Sequence, residues 1–118
     1  MPGDAGASLE DILNAIAGVE AAVKGKSFED FTQDWLIRHG VQRGIEIISE
    51  ASRRLPDDLI VNYPEIPWKE IRGVGNVLRH EYHSISDRVI WNVVQQHLPP
   101  LRSCVEKMLE TLDQGRTP

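Results

Sequence analysis

The residue types best suited to chemistry are gathered in one short stretch, Arg72-Gly-Val-Gly-Asn-Val-Leu-Arg-His-Glu-Tyr-His83. At helical spacing Arg72, Asn76, His80 and His83 share a stripe with Arg79 beside it, while Ile71, Val74, Leu78 and Tyr82 fall on the other side. Histidine titrates near neutrality, so His80 is suited to take a proton from a ribose 2′-hydroxyl. The phosphorane that results needs a cation, and an arginine supplies one with directed hydrogen bonds. Arg79 adjoins His80. Arg72 lies two turns away, roughly 12 Å at the standard helical rise, which is far for sharing one phosphate with His80 of the same chain. Asn76, one turn before His80, could orient the imidazole or hold a phosphate oxygen. From chemistry alone a solvated helix face is the better account of this cluster.

Other uses of these residues read as weaker. His80 and His83 stand at i and i+3, but no Asp, Glu or Cys completes a tetrahedral metal set at a clear spacing, so neither a metal nor another cofactor is called for. His39 and His97 stand alone and read as surface residues. Tyr82 sits toward the apolar side, with a hydroxyl at the edge that could accept a modifying group. Trp35, Trp68 and Trp91 fall on separate helices and read as core, since little basic charge surrounds them to support base stacking. Arg43, Glu46, Glu50, Arg53 and Arg54 form a charged face on the second helix, either solvated or lining a cleft opposite His80.

Helices must position these groups. Residues 1–7 read as a loose end. Ser8 reads as the N-cap of a first helix, paired with Asp11, with Leu9, Ile12, Ile16, Val19 and Val23 on its apolar face and a stop near Gly25. Ser27 caps a second helix that continues to Leu55, with Gly40 and Gly44 as sites of close helix approach. Residues 57–67 read as a proline-bounded loop anchored by Leu59, Ile60 and Ile66. Pro67 opens a third helix carrying the Arg72–His83 cluster. Ser86 or Asp87 caps a fourth, which Pro99-Pro100 breaks or kinks, and a short last segment runs from Leu101 to Leu112, with 113–118 frayed. No strand-like alternation or repeat occurs. The expected fold is an all-α, up-and-down four-helix bundle plus a short C-terminal helix, in a single domain over 1–118.

With 118 residues, 41% hydrophobic and 26% charged, the chain has the balance of a soluble globular domain. Its net charge of −5 argues against general nucleic-acid affinity, so RNA contact would need a local basic patch. One cysteine suits a reducing compartment, and no apolar run reaches membrane-spanning length, so a cytoplasmic protein with no membrane partner is expected.

Segments either side of the cluster carry a resemblance. Pro64-Glu-Ile-Pro-Trp-Lys-Glu-Ile71, Asn76-Val-Leu-Arg-His80-Glu-Tyr82, Val89-Ile-Trp91 and Leu98-Pro-Pro-Leu101, together with Gln42 to Pro56, resemble the HepT-like family of the HEPN superfamily. That likeness spans about Leu9 to Leu112. It implies a dimeric helical toxin, typically a metal-independent endoribonuclease, encoded beside a minimal nucleotidyltransferase antitoxin. The family motif, Arg-polar-x-x-x-His-x-Tyr, carries over onto Asn76, His80 and Tyr82, and in some members the motif tyrosine is adenylylated. The motif arginine has no counterpart here, because Gly75 occupies its place. Either Arg79 or Arg72 takes over, with Arg79 the better placed, or the protein is a catalytically weak partner and tyrosine-adenylylation substrate of the nucleotidyltransferase.

Overall fold

The computed structural model describes residues 2–81 and 85–116, with side chains described for 5–80 and 85–113. Among them there is no strand, and the expected all-α bundle is present.

Helix α1 (Pro2–Val23) buries Leu9, Ile12, Ile16, Val19 and Val23, the i, i+3, i+4 stripe the sequence shows. It starts well before the expected cap. Pro2 is compatible with a first helical turn, and Ala5 is already in the core, so residues 2–7 are helix rather than a loose end. Ser8 consequently lies inside the helix and is buried. Instead of capping, Ser8 and Asp11 hold Arg54 at the far end of the second long helix: Arg54 Nη2 donates to the Asp11 carboxylate at 3.1 Å and Nε to the Ser8 hydroxyl at 3.4 Å. Gly25, at φ 72°, then turns the chain in the left-handed region.

The second helix is two helices, α2 (Phe28–Gln33) and α3 (Trp35–Arg53), separated at Asp34. Ser27 caps α2 in a full capping box with Asp30. Asp34 adopts an extended conformation (φ −107°, ψ 102°), and its carboxylate accepts from the Ile37 amide at 3.0 Å, starting α3 afresh. This break changes the phase of the helix beyond it, and Trp35, expected in the core, is 62% exposed. Gly44 faces Val19 so closely that a Cβ there would stand 2.4 Å from its methyl, which lets α1 and α3 lie together, whereas Gly40 opens onto free space.

One turn of helix, α4 (Asp57–Ile60), interrupts the expected loop. Ile66 and Trp68 then enter the core, the indole N–H donating to the Tyr63 carbonyl at 3.0 Å. Helix α5 (Trp68–Glu81) carries the candidate cluster and packs on α3. Ser86 caps α6 (Asp87–Asn92), accepting from the Val89 amide at 3.2 Å. Phe31 and Phe28 of α2 pack on Trp91 of α6, at 5.3 and 6.2 Å between ring centroids.

Pro99 and Pro100 do not break the chain. Residues Val93–His97 form a π-helical turn that runs directly into α7 (Leu98–Arg116), with Leu98 N–H reaching the Val93 carbonyl. The wider turn accommodates two rings that lack an N–H and would crowd the carbonyls four residues back. The segment expected as a short terminal helix is thus 19 residues long and continuous with α6. Its Leu101, Cys104, Val105 and Met108 join Leu9, Ile12 and Ile16 in the core, and α7 packs on α1.

Candidate functional site

Helix α5 divides as its pattern demands. Leu78 and Gly75 are buried, Ile71 and Val74 half-buried, and Asn76, Arg79 and His80 exposed. Tyr82 and His83 lie outside the described residues.

Gly75 is pressed against α3. A Cβ built on it would meet Ser49 Oγ at 2.7 Å and Ser49 Cβ at 2.9 Å. The Ser49 hydroxyl accepts from the Gly75 amide at 3.0 Å and donates to the Arg72 carbonyl at 3.0 Å, tying the two helices by their backbones. No larger side chain fits at position 75 without moving one of these helices.

Arg72 is drawn away from the stripe it shares with Asn76 and His80. Its Nε donates to the Ser52 carbonyl at 3.1 Å and its Nη2 to the Leu55 carbonyl at 2.7 Å, while Nη1 pairs with Asp57 at 3.0 Å. Ser52 and Leu55 lie at the C-terminal end of α3, where carbonyls lack helical partners and the dipole favours a cation. Arg72 therefore serves as a strap from α5 to α3, and the expectation of it as a phosphate ligand gives way to this role. Arg53 strengthens the strap by donating to the Arg72 carbonyl at 3.2 Å.

Arg79 behaves differently. Its Nη2 donates to the side-chain amide oxygen Oδ1 of Asn76 on the exposed face of α5. The acceptor is a neutral amide rather than a carboxylate. Three candidates therefore stand within one turn: Asn76, Arg79 and the adjoining His80. Arg79 and Leu78 also form one wall of a shallow groove of about 290 Å³, whose other wall is His39, Gln42, Arg43 and Glu46 of α3. Part of the charged face of α3 does line a cleft beside the cluster. Arg43 and Glu46 pair there at 3.2 Å, whereas Arg53 and Arg54 are spent on contacts elsewhere.

His39 was not among the residues that spacing marked for chemistry. Its Nδ1 lies 2.7 Å from the Trp35 carbonyl oxygen, which can only accept, so Nδ1 carries the proton. Its ring stacks on the Trp35 indole, with centroids 4.1 Å apart and planes 30° apart. The available signal was the i, i+4 spacing of Trp35 and His39, which continues onto Gln42, Arg43 and Glu46. Among the described residues no group of three His, Cys, Asp or Glu side chains is arranged to hold a metal ion, and no helix is long and apolar enough to cross a membrane.

An all-α domain with an Asn-x-x-Arg-His face beside a polar groove fits the expected family, and comparison with known proteins agrees. The family described as "Ribonuclease HepT-like" matches residues 12–108. This chain belongs to the HepT-like ribonuclease family. It is 39% identical over 100 residues to a "Probable ribonuclease HepT" of Thermococcus cleftensis, covering 85% of this chain and 91% of that one. A protein of Caldanaerobacter subterraneus subsp. tengcongensis, provisionally named an RNase, is 37% identical over 102 residues, covering 86% and 91%. A provisionally named RNase of Methanocaldococcus jannaschii is 36% identical over 103 residues, covering 87% and 94%. No solved structure gives a significant match.

Proposed function

We propose that this chain is a toxin-type endoribonuclease that cuts RNA without a metal. His80 takes the proton of a ribose 2′-hydroxyl, and the freed oxygen attacks the adjacent phosphorus. Arg79 donates to the non-bridging oxygens as charge builds on the phosphorane. The imidazolium returns its proton to the departing 5′-oxygen, leaving a cyclic phosphate. Asn76, one helical turn before His80, holds the Arg79 guanidinium, and this bond is the observation that carries the assignment. It supports a replacement for the motif arginine from one turn further along the helix. The relatives named as ribonucleases support RNA as substrate.

The reading extends to a homodimer in the cytoplasm, held in check by a minimal nucleotidyltransferase antitoxin. RNA cleavage or growth arrest tests the chemistry: wild type active, with His80→Ala and Arg79→Ala inactive. An inactive wild type, or activity indifferent to His80, overturns it.

The tight seat of Gly75 favours a second reading, in which phosphodiester chemistry is weak and the protein is chiefly a partner and adenylylation substrate of the nucleotidyltransferase through Tyr82. Incubation with that enzyme and ATP then yields an adenylyl adduct in the intact mass, and Tyr82→Phe abolishes it.

A further inference from the structure

Trp35 is the exposed indole among three tryptophans. Trp68 is buried, Trp91 is half-buried against Phe28 and Phe31, and Trp35 leaves 62% of its surface in solvent. Its chain neighbour Leu36 is 73% exposed, so the two make an apolar patch rather than a single exposed side chain, and such a patch marks a contact surface. The indole is also held in place. Asp34 fixes the start of α3, and the His39 ring lies against the indole while its Nδ1 is anchored on the Trp35 carbonyl. That arrangement is a rigid aromatic shelf, one helical turn from the groove that Arg79 overlooks.

We infer that Trp35, braced by His39, is a base-stacking subsite for single-stranded RNA whose phosphate lies in the groove at Arg79. This inference rests on the ribonuclease reading and names how that site holds its substrate. Single-strand binders combine aromatic faces for bases with cations tracking the backbone. Arg43 and Arg79 supply such cations at the groove, although Arg43 is shared with Glu46. In an acidic chain this is the kind of local patch that RNA contact requires. Stacking tolerates any base, so the subsite would position RNA without selecting sequence.

The test is titration of the wild-type protein with a short 2′-O-methyl oligoadenylate, which lacks the attacking hydroxyl and survives intact. Tryptophan fluorescence and an independent binding signal are read together. The inference expects saturable quenching, loss of that quenching with an affinity lower by about tenfold in Trp35→Ala, and most of the affinity retained in Trp35→Phe. Binding without quenching, an affinity unchanged in Trp35→Ala, or no binding by the wild type overturns it. So does a Trp35→Ala protein that loses its oligomeric state by light scattering while binding RNA as before, since the shelf would then face a protein. A cleavage assay alongside separates the two ideas: a wild type that cuts RNA with any of these outcomes removes the shelf alone, and one that neither cuts nor binds removes both.

Discussion

The hydroxyl of Ser49 stands against the backbone of Gly75, accepting its amide hydrogen at 3.0 Å, where even a methyl group on Gly75 would lie 2.7 Å from the same oxygen. Position 75 is therefore a point of close approach between α3 and α5, and packing accounts for the absence of a side chain there. Gly75→Ala is expected to lower stability by about 1–3 kcal/mol despite alanine's better helix propensity, because overpacking outweighs that gain. Gly75→Arg should do more harm and raise RNA cleavage no further. Urea unfolding of both variants checks this.

Arg72 and Arg79 should separate cleanly. Arg72→Ala leaves the Ser52 and Leu55 carbonyls without their charged donor, and a loss on the order of 2 kcal/mol is expected. The Asp57 partner adds little, being 92% exposed. Arg79→Ala touches no buried group and should stay within about 0.5 kcal/mol of wild type while losing RNA cleavage. Stability measured beside cleavage per folded molecule tells the two arginines apart.

The division between α2 and α3 can be tested at Asp34. Asp34→Ala removes the acceptor of the Ile37 amide and should cost about 1 kcal/mol, with Asp34→Asn nearly neutral. Thermal melts by circular dichroism report the difference.

Asp30 gives a pH signature. The Ser27 backbone amide, then the Ser27 hydroxyl, hold its carboxyl below the ordinary 3.8. A depressed carboxylate stabilises the fold above its unfolded value, and that contribution fades as pH falls through 3.8 and below. Asp30→Asn should therefore narrow the gap between stability at neutral pH and in acid, as measured by urea midpoints.

Cys104 behaves in the opposite sense. Burial, and secondarily the charge of Glu65, push its thiol up to about 11. The unfolded thiol ionises from about 9.0, so stability is lost as pH rises from there toward 11. Iodoacetamide should leave the native thiol unmodified at neutral pH and alkylate it in urea, as read by intact mass.

Much of this architecture was written in local pattern. The apolar period placed the helices, and Ser27 and Ser86 announced two starts because their caps act within three residues. What escaped depended on distant partners. Arg72 looked like part of the His80 stripe because spacing specifies a face, yet its long side chain found the carbonyls ending α3. Asp34 was hidden inside a periodic run, and overlooking it carried Trp35 into an imagined core. At the site, Asn76, Arg79 and His80 were legible as neighbours because one helix carries all three, while His39 needed the packing of α3 on α5 to reach the groove wall.

The π turn at Val93–His97 acts as a phase setter for α7. Each residue added to or removed from a helix rotates everything beyond it by about 100°. In the present register Leu101, Cys104, Val105 and Met108 meet the core while Arg102 reaches out to Glu20 of α1. Deleting a single residue between Val93 and His97 would swing that stripe toward solvent and turn charged neighbours inward. This short segment is consequently among the places in the chain least tolerant of a change in length, even where its individual side chains, such as Gln95 and Gln96, are exposed and freely replaceable.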